Sequence, residues 1–308
     1  MDPQRLAGQR LRLPADAGGP WGPRRDRPLS PRRIFVSLAP MPLLSQPSKR
    51  PRVKSVRPQR AAPPLVFAIA GNHVEAKLGE AIVTALPEGA LWIGDAKTLI
   101  VSDLHLEKGS SFARDGQMLP PYDTHATLSR VAALMERHAP EIVVSLGDSF
   151  HDGGGPARMH ERDRTLLRDL IGRCDWIWVE GNHDGKSAET IGGVVRENLR
   201  IGALTLVHKP SKREAPGEIA GHLHPCAKVT GRGRVVRRRC FVTDGARLVM
   251  PAFGAYTGGL NVCHKEFAPL FPNGVTALVL GRTRVLPAPM ETGSFFHICT
   301  PIGTSMSS

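Results

Sequence analysis

Five short apolar runs, each stopping at a metal-ligating side chain, constrain the fold of this chain more than any other feature. Thr98-Leu99-Ile100-Val101 leads into Ser102-Asp103-Leu104-His105, and Ile142-Val143-Val144-Ser145-Leu146 leads into Gly147-Asp148. Trp176-Ile177-Trp178-Val179 is followed by Gly181-Asn182-His183-Asp184, Leu204-Thr205-Leu206-Val207 by His208, and Glu218-Ile219-Ala220 by Gly221-His222-Leu223-His224. Short β-branched runs bounded by turn residues read as buried strands. Side chains at the carboxyl ends of such strands face the crevice in which α/β proteins bind ligands. A single Gly-Asp after a strand is an ordinary turn, and a single histidine is an ordinary surface or structural residue. Five such endings in one chain point to a common site.

Along a strand, residues i and i+2 share a side, so Asp103 and His105 are expected to aim at one place, and His222 and His224 likewise. Carboxylate and imidazole together suit manganese, iron or zinc without any cysteine. A carboxylate can bridge two ions, and two ions about 3.5–4 Å apart clamp the attacking and leaving oxygens of a phosphoester displacement.

Between these runs, Glu107 to Pro121 reads as a polar loop. Thr124 is placed to cap a helix in which Leu128, Val131, Leu134 and Met135 recur at helical spacing, and a second helix is expected from Arg158 to Arg173. Gly71-Asn72-His73 repeats the later triplet, but it stands in an early hairpin, and His73 reads as a surface residue. Beyond residue 225 strands dominate, ending in a hairpin over 275–286. Strand–helix alternation followed by strands predicts an α/β sandwich of two mixed sheets flanked by helices, not one doubly wound sheet.

The net charge of +13 is unevenly spread. Residues 1–60 carry 12 Arg and 2 Lys against 3 Asp, whereas residues 61–308 carry 27 basic and 25 acidic residues. The basic balance therefore describes a tail and says little about what the folded part binds. Residues 1–62 read as a disordered, Pro/Arg-rich extension, too poor in apolar surface to offset its ordering entropy. Order is expected over 63–287, with a loose tail over 288–308. Five scattered cysteines without a C-x-x-C pair suit a reduced compartment. With no apolar stretch long enough to span a bilayer, a cytoplasmic location without membrane attachment is expected.

Asp103-x-His105, Gly147-Asp148, Gly181-Asn182-His183-Asp184, His208 and Gly221-His222-x-His224 resemble, in order, the motif series of the calcineurin-like metallophosphoesterases. The resemblance implies a dinuclear site with Asp103, His105 and His224 on one metal, Asn182, His208 and His222 on the other, and Asp148 bridging. Manganese is the metal it favours, with iron or zinc as alternatives. His183 faces the substrate in that scheme. It assists the leaving group while hydroxide formed at the two ions attacks phosphorus, and Asp184 fixes its tautomer.

A narrower likeness is carried by Asp103-Leu104-His105-Leu106-Glu107-Lys108-Gly109, Leu119 to Thr124, Leu146 to Asp152 and Pro251 to Asn261. These stretches are similar to the bacterial ligase-associated DNA damage response phosphoesterases. A nuclease acting on DNA or another phosphodiester is thereby implied, with a DNA ligase and a helicase or exonuclease as partners. Gly147-Asp148-x-Phe150-His151 also resembles the double-strand-break repair nucleases, which makes His151 a second proton donor or a group behind the ligands. Two other readings stand beside this one: a phosphomonoesterase or nucleotide phosphoesterase using the same motifs, and a metal-stabilised, non-enzymatic scaffold. Arg232, Arg234, Arg237, Arg238 and Arg239 form a local basic cluster suited to phosphate contacts or to plain solvation, and Ala255 to Gly259 a glycine-rich stretch.

Overall fold

The computed structural model describes residues 67–183, 187–231, 234–272 and 274–290. Its first sheet contains β1 (Phe67–Ala70), β2 (His73–Leu78), β3 (Ala81–Ala85), β4 (Leu91–Ile93), β5 (Thr98–Val101), β6 (Ile142–Leu146), β7 (Asp175–Val179) and β8 (Val194–Arg196), adjacent in chain order. Pairing is antiparallel from β1 to β5 and parallel from β5 to β8. The second sheet contains β9 (Leu199–Ile201), β10 (Leu204–Val207), β11 (Glu218–Ala220), β12 (Pro225–Gly231), β13 (Arg234–Thr243), β14 (Arg247–Val249), β15 (Leu260–Asn261), β16 (Val275–Leu280) and β17 (Val285–Met290). Its main path runs β15-β12-β13-β14-β11-β10-β9, and β16 and β17 join through β13.

The central strands read as unbroken apolar runs because both of their faces are covered. Leu99, Val101 and Val143 face a core shared with helices α2 (Asp123–His138) and α4 (Glu161–Ile171). Ile100, Val144 and Leu146 face the other way, into a core shared with Leu206, Ile219, Phe241 and Leu248 of the second sheet. Trp176 and Trp178 of β7 lie on the helix side, behind Leu167 and Leu170. A third core covers the outside of the second sheet with Val262, Phe267 and Phe271. This is the two-sheet sandwich with flanking helices, and no described helix is long and apolar enough to cross a membrane.

Local structure departs from the sequence reading in four places. The stretch expected to be a polar loop contains the helix α1 (Lys108–Arg114), entered through Glu107 at φ 64. Thr124 caps nothing: α2 starts after Tyr122 without a side-chain cap, and the Thr124 hydroxyl accepts from the Glu107 N–H (2.8 Å) and donates to its Oε1 (2.9 Å). The helix expected from Arg158 to Arg173 is two helices, α3 (Gly155–Arg158) and α4. Extended His160 divides them and caps the second by accepting from the Arg162 N–H (3.2 Å). β17 runs to Met290, so its strand pairing enters the stretch read as a loose tail.

Candidate metal centre

The five strand endings, after β5, β6 and β7 of the first sheet and β10 and β11 of the second, come together and form two adjacent groups. Asp103, His105 and His224 make one and Asp148, His208 and His222 the other, with the ligand atoms in each group within 4.8 Å of one another. Asp103, His105, Asp148 and His208 are buried, while His222 and His224 are half-buried. His224 Nε2 stands 3.0 Å from Asp103 Oδ1, and His208 Nε2 stands 3.4 Å from Asp148 Oδ2. The groups adjoin through His208, whose Nδ1 lies 3.9 Å from Asp103 Oδ1 and 3.2 Å from the Leu146 carbonyl. Asn182 Nδ2 reaches His222 Nδ1 at 3.3 Å.

The backbone that delivers these side chains is not strand. Asp103, His105, Asp148, His222 and His224 all have positive φ, between 43° and 69°. The i, i+2 argument therefore fails for the histidine pair: His222 and His224 belong to different groups. What holds these turns is hydrogen bonding between loops. Asp103 N–H donates to the Gly147 carbonyl (3.2 Å), His105 N–H to the Asp148 carbonyl (2.9 Å), and Gly254 N–H to the Asp103 carbonyl (3.2 Å). The Asp103 carboxylate accepts from the His222 N–H and from Ser102 Oγ at 2.5 Å. Glycine ahead of a ligand is required by the closeness of these loops. A Cβ on Gly221 would lie 2.1 Å from Ser102 Oγ, and one on Gly181 would lie 2.0 Å from the Asp148 nitrogen.

Electrostatics follow from burial and crowding. Burial pushes the Asp148 carboxyl up, but the hydrogen bond and charge of His208, the His183 N–H and the nearby His105 together hold it well below the usual carboxylate range. Burial pushes His208 down, yet hydrogen bonding to Asp148 and the charge of Asp103 raise it overall. His105 is lowered to about 4, chiefly by burial and against the pull of Asp103. His222 is lowered by burial and by His208 beside it. Imidazole nitrogens face one another at 3.4 Å (His105 Nε2 and His224 Nε2) and at 3.2 Å (His208 Nε2 and His222 Nδ1). A sunken cluster of two carboxylates and four imidazoles, with nitrogens converging in pairs, has the donor set and spacing for divalent cations.

His183 lies at the rim, half-exposed. Its N–H donates to Asp148 Oδ1 (3.0 Å), and its ring centroid is 5.9 Å from that of His105. Asp184 lies outside the described residues. The His151 ring sits 6.2 Å from His183 and nearly parallel to it, between His105 (5.8 Å) and Phe112 (5.7 Å). His151 is lowered by burial and by the charge of Lys108, and its buried Nδ1 has no partner among the described residues. The 254–259 stretch is pinned beside the centre. Ala255 N–H donates to Thr127 Oγ1 (3.0 Å), and the Tyr256 hydroxyl donates to the Pro120 carbonyl (2.8 Å).

Several supports were not foreseen. Asp152, an unremarked turn acid in the sequence, pairs with Arg158 through two 2.8 Å bonds, and Arg158 Nε also donates to Ser110 (3.2 Å). Arg130 stacks on Phe253 at 4.0 Å and donates to its carbonyl (2.8 Å), and Arg239 donates to the Ala252 carbonyl (2.8 Å). Only Ser102, next to Asp103 in the chain, carried a signal that sequence reading could have used.

Comparison with known proteins bears on what this centre is. Residues 96–244 match the model of the calcineurin-like phosphoesterase family. A comparison with curated protein sequences found no match. Among solved structures the chain is similar to the Pseudomonas putida nuclease MPE, with 27% identity and a TM-score of 0.56, covering 70% of this chain and 100% of that one. It also aligns with YfcE, a phosphoesterase from E. coli, at 13% identity and a TM-score of 0.33, over 64% of this chain and 99% of the other, a likeness too slight to argue from. On the family match over residues 96–244 and the sandwich that carries the two Asp/His groups, the chain contains a calcineurin-like phosphoesterase domain and is a hydrolase.

Proposed function

We propose that this protein is a dinuclear-metal-dependent phosphodiesterase that cuts DNA. The observation that carries the reading is the adjacency of the two ligand groups, each with its ligand atoms within 4.8 Å, beside the half-exposed His183. In this reading Asp103, His105 and His224 hold one ion, Asn182, His208 and His222 hold the other, and Asp148 serves both. Manganese is the proposed ion; iron and zinc suit the same donors. Two cations bound there would supply Lewis acidity, making water nucleophilic at neutral pH and offsetting charge on the phosphoryl group.

The remaining work falls to the chain's own residues. Asp148, held below the usual carboxylate range, stays ionised at any working pH. Its bond from the His183 N–H fixes the His183 backbone against the ligand carboxylate. The His183 ring is then positioned to donate to the oxygen that leaves phosphorus, and Asp184 is its proposed orienting partner. His151, parallel to His183 with a free Nδ1, is the proposed second donor. The likeness to a nuclease from P. putida, whose whole length this chain covers, supports a nucleic acid as substrate, and DNA is the one we propose. Action in a ligase-associated repair pathway, with a ligase and a helicase or exonuclease as partners, is the setting we propose.

The test is to strip the protein with chelator, restore manganese, and assay bis-p-nitrophenyl phosphate, p-nitrophenyl phosphate and plasmid DNA. Manganese-dependent turnover of the diester and of DNA is expected. Turnover of the monoester alone would replace this reading with a phosphomonoesterase.

A further inference from the structure

We infer that the β12–β13 ribbon is a nucleic-acid-binding arm that grips backbone phosphates flanking the one being cut. Cleavage of the gripped strand rests on the diesterase function proposed for the centre; the arm itself rests on the chemistry of the ribbon. β12 begins at Pro225, the residue after His224, and the Leu260 N–H donates to the His224 carbonyl (2.9 Å). The root of the ribbon is therefore continuous with a ligand turn. On the returning strand, Arg239 ties that root to the carbonyls of Ala252 and Phe253.

Beyond its root the ribbon leaves the core. Arg234 to Arg238 are exposed at every position, so side chains on both faces of β13 meet solvent. Residues 225–239 contain six basic residues and no acid. Residues 61–308 contain 27 basic and 25 acidic residues, so without those six the remainder carries an acid excess of four. The positive charge of the folded region is concentrated in this one element.

Lys228 lies directly opposite Arg237, and like charges facing each other across an antiparallel pair weaken it. The ion pairs among the described residues involve neither of these nor Arg234 or Arg238. These exposed cations thus have no acidic partner among the described residues and are open to an anionic ligand.

The shape selects the partner. Lys228 and Arg237 stand on one face of the ribbon, and Arg234 and Arg238 on the other. A two-stranded ribbon has the width to enter the major groove of a duplex, where phosphates line both walls. A flat anionic membrane would meet one face only. Val235 and Val236, 61% and 40% exposed, add apolar contact between the charges.

The experiment compares the full-length protein with a triple variant, Lys228→Ser, Arg237→Ser, Arg238→Ser, and with a charge-retaining variant, Arg237→Lys, Arg238→Lys. Binding of a fluorescent DNA duplex is titrated from about 50 to 200 mM salt. Removing three phosphate contacts is expected to lower the slope of log K against log salt by roughly 2 to 3 and to weaken binding at least about tenfold at the low-salt end. The charge-retaining variant is expected to keep the wild-type slope. An unchanged slope in the triple variant overturns the proposal, as does loss of binding to phosphatidylserine vesicles with no change on DNA. Hydrolysis of bis-p-nitrophenyl phosphate is expected to be equal in all three proteins. Its absence from the wild type would sink the diesterase reading and leave the binding result to judge the arm alone.

Discussion

Replacing Gly181 with alanine tests whether the centre depends on the contact between its loops. Gly181 does not need a left-handed backbone, so alanine meets no conformational objection there. Space is the objection: the new Cβ would lie 2.0 Å from the Asp148 nitrogen, 2.4 Å from its Oδ1 and 2.9 Å from its Cα. Carbon needs roughly 3.5 Å from such neighbours, so the Gly181–His183 turn and the Asp148 loop must part by about 1 Å or more. Two of the three obstructing atoms are backbone, and Asp148 is buried, so no flexible side chain can give way. Forced overpacking of this kind costs about 1–3 kcal/mol, and in a domain of this size each kcal/mol lowers Tm by roughly 2–4 °C. The same parting breaks the 3.0 Å bond from the His183 N–H to Asp148. Displacement of a reacting group by about 1 Å is expected to cost on the order of 100-fold in kcat. Gly153→Ala is the control, since nothing lies within 4 Å of its Cβ; it should stay within about 0.5 kcal/mol of wild type. The assays are thermal unfolding and manganese-dependent diester hydrolysis. If Gly181→Ala matches Gly153→Ala in both, the close approach of the loops does not hold the site together.

Further outcomes separate ligands from neighbours. Asp148→Asn should abolish hydrolysis and weaken binding of both ions, whereas His183→Ala should lose activity while binding the metal as wild type does; isothermal titration with manganese distinguishes them. Arg130→Lys keeps the charge but loses the forked bonds to the Phe253 and Glu88 carbonyls and the stack on Phe253. It should cost about 1–3 kcal/mol in urea unfolding. The Arg158 guanidinium, outweighing some burial, holds the Asp152 carboxyl well below its ordinary value. A depressed carboxylate contributes stability that is present above its unfolded pKa, near 4, and is lost as pH falls through its folded value. Asp152→Asn should therefore destabilise the protein at pH 7 by about 1 kcal/mol and show a flatter fall in Tm between about pH 4 and pH 2.

The strands were legible because the central parallel ones are covered on both faces and so appear as unbroken apolar runs, as in Ile142–Leu146 and Thr98–Val101. Helix α1 was not, since Lys108-Gly109-Ser110-Ser111 has poor helix propensity and the turn is held by contacts made elsewhere: Ser110 to Glu107, Glu107 to Thr124, and the Gly109 N–H to Asp123. The residue types at the strand ends were equally visible, but their backbone was not. A non-glycine residue at positive φ costs about 1–3 kcal/mol; Asp and His tolerate it better than most, but nothing in the local sequence calls for it at Asp103, His105, Asp148, His222 and His224.

Such a conformation persists only where the surroundings over-determine it, and here they are other strained turns. The Asp103 turn is bonded to the Asp148 turn, the Gly221–His222 turn to the Asp103 carboxylate, and the His183 turn to the Asp148 carboxylate. The two sheets bring five loop roots together, and mutual hydrogen bonding then sets where each ligand atom points. A strand-periodicity rule therefore finds the right residues yet assigns His222 and His224 to one group, because the geometry that separates them lies in contacts between loops far apart in the chain.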